Sequence, residues 1–129
     1  MILVVGGAAQ GKRQVCRRLL EVEETAYQNG LADGRTDAPE IALEKPYIAA
    51  FHLFLRKVME QGVDPERYAQ EVLAAGPKIL SLDEIGCGIV PIEASERDYR
   101  DAVGRCGQLL AREATQVYRV ICGIPARIK

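Results

Sequence analysis

Near the amino end, Gly6-Gly7-Ala8-Ala9-Gln10-Gly11-Lys12 satisfies the spacing Gly-x4-Gly-Lys. Phosphate binding needs this spacing for a steric and an electrostatic reason. Glycine lets the backbone wrap closely, so that successive N–H groups face phosphate oxygens. A helix starting there adds partial positive charge, and Lys12 reaches the β/γ-phosphates. Such loops continue with Ser or Thr, whose hydroxyl ligates Mg²⁺. Arg13 occupies that position. A guanidinium cannot ligate a metal but pairs well with a phosphate. The expected binding set is therefore Gly6, Gly7, Ala8, Ala9, Gln10, Gly11, Lys12 and Arg13. The expected ligand is ATP or GTP, with Mg²⁺ coordination weakened by Arg13.

A second candidate centre is Ile79-Leu80-Ser81-Leu82-Asp83-Glu84. It places two carboxylates at the carboxyl end of a buried strand, where α/β sheets bind ligands. Asp83 could hold Mg²⁺ directly or through water, and Glu84 could orient a nucleophile, which makes Lys12 and Glu84 the catalytic candidates. Alternatively, both carboxylates cap the next turn or pair with Arg97 or Arg100. Arg97, Arg100 and Arg105 lie on the polar side of a long helix. They either reach phosphates or a neighbouring subunit, or form a solvated face with Asp98 and Asp101.

The elements that must position these residues alternate between strand and helix. Ile2-Leu3-Val4-Val5, apolar on both faces, reads as the centre of a parallel sheet. A helix follows from about Gly11, with Val15, Leu19, Leu20 and Val22 inward. Thr25 to Gln28 reads as a short strand and Gly30 to Pro39 as a loop. Pro46 opens a helix in which Tyr47, Ile48, Phe51, Leu55, Val58 and Met59 keep helical spacing until Gly62. His52, the only histidine, reads as a partly buried structural residue of that helix. Asp64 caps a helix that Pro65 starts and Gly76-Pro77 ends. The strand Lys78 to Leu82 leads to a glycine-rich turn, Gly86-Cys87-Gly88. Ser95 or a neighbour caps the long helix, and Gln116 to Cys122 forms the last strand. The fold class is α/β, a P-loop NTPase-like three-layer sandwich with a small, mostly parallel sheet. With three or four clear strands, either the middle hides another or oligomerisation covers an exposed face. Nothing divides residues 1–129 into two domains.

Composition narrows the function classes. Seventeen basic and eighteen acidic residues leave a net charge of −1, which excludes a nucleic-acid or membrane binder driven by bulk charge. Met1 to Val5 is too short for a signal peptide, and no apolar stretch approaches the ~18 residues of a membrane helix. The expectation is a cytoplasmic protein. None of Cys16, Cys87, Cys106 and Cys122 falls in a CxxC or CxH spacing, so zinc or a redox dithiol has no support.

From Asp83 onward the chain resembles the bifunctional adenosylcobinamide kinase/adenosylcobinamide-phosphate guanylyltransferases of cobalamin biosynthesis. The resemblance is carried by Glu84-Ile85-Gly86-Cys87-Gly88-Ile89-Val90-Pro91 and Arg97-Asp98-Tyr99-Arg100-Asp101. It continues through Gly104-Arg105, Gln108-Leu109-Leu110-Ala111 and Gly123-Ile124-Pro125. It implies nucleotide-dependent phosphoryl transfer to a corrinoid alcohol, with a nucleotide and a corrinoid as partners and a homo-oligomer, a trimer in the family. The chain departs from the family pattern at Arg13, at Asp83 in place of Asn, at Ile92-Glu93 and at Gly107. His52 does not match the motif of the family's guanylylated histidine, so the resemblance gives guanylyl transfer no residue here. A module that binds a nucleotide or corrinoid phosphate without turnover, or an oligomeric scaffold, is the alternative.

Overall fold

The computed structural model describes residues 1–86 and 92–129. Its centre is β1 (Ile2–Gly6), whose aliphatic side chains are covered on both faces. β1 pairs in parallel with β4 (Ile79–Asp83) on one side and β5 (Gln116–Ile121) on the other. Two three-residue strands, β2 (Leu31–Asp33) and β3 (Tyr47–Ala49), extend the sheet in parallel beyond β4. β6 (Ile124–Arg127) adds an antiparallel edge, giving the order β2-β3-β4-β1-β5-β6. The sheet is thus mostly parallel, as expected, and the poorly patterned middle supplies both short strands.

Helices cover both faces, and strand alternation sorts the side chains between them. Val4, Ile79 and Val120 pack with α1 (Lys12–Leu20) and α2 (Glu24–Asn29). Leu3, Leu80, Leu82 and Val117 pack with α3 (Phe51–Glu60), α4 (Pro65–Ala75) and α5 (Ala94–Glu113). The result is three layers.

Four local readings are corrected. Residues 25–28, expected as a strand, belong to α2; its one buried side chain, Tyr27, stacks on Tyr47 with ring centroids 5.4 Å apart. Gly30 to Pro39 is not all loop, since it contains β2. The helix expected from Pro46 begins at Phe51, because Tyr47–Ala49 pair with β2 and β4 and Ala50 takes a left-handed φ of 53° between strand and helix. At the far end, Cys122 (φ 50°) and Gly123 (φ 77°) form a two-residue turn, and β6 follows the strand Gln116 to Cys122 expected to be the last. Positive φ at both turn residues matches the right-handed twist of a hairpin. Helix ends follow the sequence more closely. The Asp64 side chain accepts from the Glu66 amide at 3.1 Å, and Gly76 closes α4 with φ 74°. α5 is preceded by Glu93 as its cap residue rather than by Ser95. Of the expected turn Gly86-Cys87-Gly88, only Gly86 lies among the described residues, and Ile89-Val90-Pro91 also fall outside them.

Candidate functional site

The loop between β1 and α1 is built to be tight. An ideal Cβ on Gly6 would sit 2.6 Å from the Val120 carbonyl oxygen, so the strand passes β5 only because residue 6 has no side chain. Gly11 holds φ 91° immediately before α1, and a Cβ there would meet Gly123 Cα at 3.2 Å. The hairpin turn buttresses the loop: the Gly123 amide donates to Gln10 O (2.8 Å) and the Cys122 amide to Gln10 Oε1 (2.7 Å). α1 starts with no side-chain cap and no acidic residue in its first turn. Its first amides lack intrahelical acceptors and point their partial positive charge along the axis.

Lys12 is buried, with 8% of its side chain exposed. Its Nζ donates to Gly6 O (3.1 Å) and Gly7 O (2.6 Å) and lies 2.7 Å from Asp83 Oδ1. The sheet makes this meeting unavoidable, because Gly6 and Asp83 are register partners in the β1–β4 ladder. Asp83 is in turn flanked by His52: the Asp83 amide donates to His52 Nδ1 (3.4 Å), and His52 Nε2 stands 3.5 Å from Oδ2. These contacts assign the Nε2–H tautomer to a neutral ring. Burial holds the His52 pKa below its usual value; Asp83 opposes this, and the charges of Lys12, Arg35 and Arg56 reinforce it. The Tyr99 hydroxyl anchors the first turn of α3 by donating to His52 O at 2.8 Å.

A cleft of about 420 Å³ opens beside this cluster, bordered by Ala9 to Gln14, Arg35, Ala49 and Ser81. That volume is ordinary for a small-ligand site. Arg13 borders it, but its guanidinium turns to Glu24 and Gln28 on α2 and lies over the Tyr27 ring, 5.1 Å from the centroid. It neither plugs the loop nor faces a phosphate position. Glu84 is also engaged, accepting from Arg119 at 2.7 and 3.1 Å, a partner on β5 rather than Arg97 or Arg100. Arg97 donates to the Ile92 carbonyl, Arg100 to that of Gly86 and Arg105 to Glu66. These three arginines therefore tie α5 to its surroundings, and none borders the cleft beside Lys12.

The donor set does not fit a protein-held Mg²⁺ ion. Arg13 replaces the ligating hydroxyl, β3 ends in Ala49 with Ala50 after it, and Asp83 is paired with Lys12. Among the described residues no group of three His, Cys, Asp or Glu side chains is placed to hold a metal. Two residues of the cleft are not legible as such in the sequence: Arg35 reads as part of a connecting loop and Ser81 as part of a buried strand. Only Ser81 carried a signal, standing two residues before Asp83 and so on the same face of β4. His52 is buried on α3 beside Asp83, in line with its reading as a structural residue of a helix.

The family described as cobinamide kinase / cobinamide phosphate guanyltransferase matches residues 53–128. The chain belongs to this family. Among its relatives, the bifunctional adenosylcobalamin biosynthesis protein CobU of Escherichia coli K12 is 37% identical over 78 residues, which cover 57% of this chain and 42% of that protein. The CobU protein of Salmonella typhimurium LT2 is 38% identical over 76 residues, 55% of this chain and 41% of that protein. The chain thus aligns with about two-fifths of the length of these relatives. The family match begins one residue past His52, so it does not cover the loop between β1 and α1. No helix among the described residues is long and apolar enough to cross a membrane.

Proposed function

We propose that this cobinamide kinase family member binds a nucleoside triphosphate, ATP or GTP, through the loop Gly6–Arg13 and takes part in cobalamin biosynthesis. The single observation that carries this reading is the open cleft beside Lys12. The lysine is held ready at the loop mouth by two backbone carbonyls and Asp83, and the arginine that could have filled the space is drawn onto α2. On binding, Lys12 would exchange part of this set for phosphate oxygens, and the start of α1 would face the same charge. The reaction class the family suggests is transfer of a phosphoryl group to a corrinoid alcohol. Here it would rest on positioning and charge neutralisation, with Lys12 on the phosphates and Glu84, held by Arg119, just after the carboxyl end of β4. The metal that accompanies the nucleotide would be held by the phosphates themselves, since among the described residues no cluster of three His, Cys, Asp or Glu side chains is placed to hold it.

A second reading is favoured by a specific observation. Asp83 is committed to Lys12 and Glu84 to Arg119, which leaves no free carboxylate at the carboxyl end of β4 and suits a module that binds without turnover. Incubation with ATP or GTP, with and without cobinamide, followed by phosphate transfer and thermal shift together, separates the two. Turnover establishes the kinase; a shift without turnover establishes the binding module; neither result removes the nucleotide reading. Self-association, which the family resemblance suggests, is supported by Ile121, Ile124 and Ile128, all more than half exposed along the β5–β6 hairpin and the tail after it. Light scattering at micromolar concentration tests it.

A further inference from the structure

We infer that Arg35 is a second anion-binding arm of this cleft, placed to take a phosphate of a polyphosphate chain whose other end lies on the loop Gly6–Arg13. The proposal rests on the phosphate-loop reading above and extends it to the segment between β2 and the 3₁₀ turn Pro39–Leu43.

Arg35 comes from the segment after β2, not from α1, and borders the same space as Lys12. Its backbone is fixed before any ligand arrives. The Gly34 amide donates to Ala49 O at 2.9 Å, and a Cβ on Gly34 would overlap the Ala50 carbonyl oxygen, so the chain can cross the end of β3 this closely only at a glycine. Asp33 and Asp37 close the turn on each other. The Asp33 amide donates to Asp37 Oδ2 and the Asp37 amide to Asp33 O, both at 2.8 Å. From α3, Lys57 Nζ donates to Asp37 O at 2.7 Å. The guanidinium is oriented by Asp33, whose two carboxylate oxygens both stand 3.2 Å from Nη1. These bonds use one of its nitrogens, and the side chain is 58% exposed, so the remaining fork of donors is open to a ligand.

The chemistry of the pair selects the ligand class. Lys12 is a compact charge at the loop, and Arg35 is a planar fork suited to two oxygens of one phosphate. Each cation is already balanced by one carboxylate, Asp83 and Asp33. A single phosphate on the loop would therefore gain little from Arg35, whereas a chain long enough to span the cleft engages both. Preorganisation of the 33–37 turn removes most of the ordering cost of that contact.

The test is calorimetric titration of the full chain and of Arg35→Gln, Arg35→Lys and Lys12→Ala with inorganic tripolyphosphate, pyrophosphate, orthophosphate and ATP, in EDTA. Arg35→Gln is expected to weaken tripolyphosphate about tenfold and orthophosphate less than twofold, because a charge-assisted hydrogen bond is lost only where the chain reaches it. Arg35→Lys should recover part of that loss, since charge remains but the fork does not. ATP should lose the same factor as tripolyphosphate; a loss confined to ATP would place the contact on the nucleoside and overturn the proposal. Equal losses for orthophosphate and tripolyphosphate would also overturn it, as would full tripolyphosphate affinity in Arg35→Gln. Lys12→Ala separates the two layers of the argument. If it leaves every affinity unchanged, the phosphate-loop reading fails; if it removes binding while Arg35→Gln has no effect, the loop reading stands and Arg35 alone is refuted.

Discussion

Asp83→Asn is the most informative single change, because the structure gives Asp83 a role that competes with the ligand. Lys12 Nζ and Asp83 Oδ1 are 2.7 Å apart, with side chains 8% and 14% exposed. At an effective dielectric of about 20 their attraction is about 6 kcal/mol, largely offset by desolvation of both groups. Losing one partner of a buried pair costs about 3–5 kcal/mol. The low end applies, since Gly6 O and Gly7 O still accept from the ammonium at 3.1 and 2.6 Å. A loss of about 3 kcal/mol should lower Tm by about 10 °C in a chain of this size. Tripolyphosphate supplies the missing counter-charge, and Lys12 no longer has to leave a carboxylate to meet it. Asp83→Asn should therefore bind tripolyphosphate about tenfold more tightly than the unaltered chain, a gain of about 1.4 kcal/mol. Thermal unfolding with increasing tripolyphosphate in EDTA reads both numbers at once. Weaker binding in Asp83→Asn would assign the carboxylate to the ligand or its metal, and an unchanged Tm would show that the buried pair contributes nothing; either result refutes the reasoning.

Other outcomes follow from the same contacts. Arg13→Ser restores a hydroxyl at the loop's ligating position and removes the guanidinium from Glu24 and Gln28; ATP affinity should become several-fold stronger with Mg²⁺ than in EDTA, whereas the unaltered chain shows little difference in the same titration. Gly6→Ala forces a Cβ to within 2.6 Å of the Val120 carbonyl and should cost about 2–3 kcal/mol, read as a lower urea midpoint. Glu84→Gln weakens a half-exposed pair with Arg119 and should change stability by less than about 1 kcal/mol, so a fall in phosphate transfer at unchanged Tm would mark a role in positioning the reaction. Burial pushes the thiol of Cys16 up to about 11 and that of Cys106 to about 12, while Cys122 is exposed. Iodoacetamide at pH 8 should therefore label Cys122 and spare Cys16 and Cys106 in the folded chain, as peptide mass spectrometry of those three sites would show.

The parts legible in the sequence were those whose causes are local. β1 and β4 are continuous aliphatic runs, and α4 is bracketed by an Asp-Pro start and a glycine stop, so each stands where its residues place it. The path of the turn between β1 and α1 was legible because glycine spacing encodes it directly. β2 and β3 were hidden because three residues carry no periodicity, and Tyr47-Ile48 keep the helical spacing of the segment after them. What divides them from α3 is the left-handed Ala50, a residue with no sequence preference for that conformation. His52 and Arg35 were read as structural for a related reason. His52 meets Asp83 only because α3 follows β3 and β3 lies beside β4, and Arg35 borders the cleft only because Gly34 lets the chain cross the end of β3. The partner of Glu84 was misplaced by the same kind of long-range effect, since Arg119 arrives from β5 across the central strand. The family resemblance, by contrast, rested on a continuous carboxyl-terminal stretch, and it is this stretch that the family match covers.

On the reading proposed above, the turn between β1 and α1 receives a phosphate chain without a metal supplied by the protein. Titrating ¹⁵N-labelled chain with ATP in EDTA and following backbone amide shifts tests it residue by residue. The account predicts that the largest shifts fall on Gly7 to Arg13 and on Arg35, and that Lys12→Ala erases them. Shifts confined to other surfaces, or an amide spectrum unmoved at millimolar ATP until Mg²⁺ is added, would contradict it.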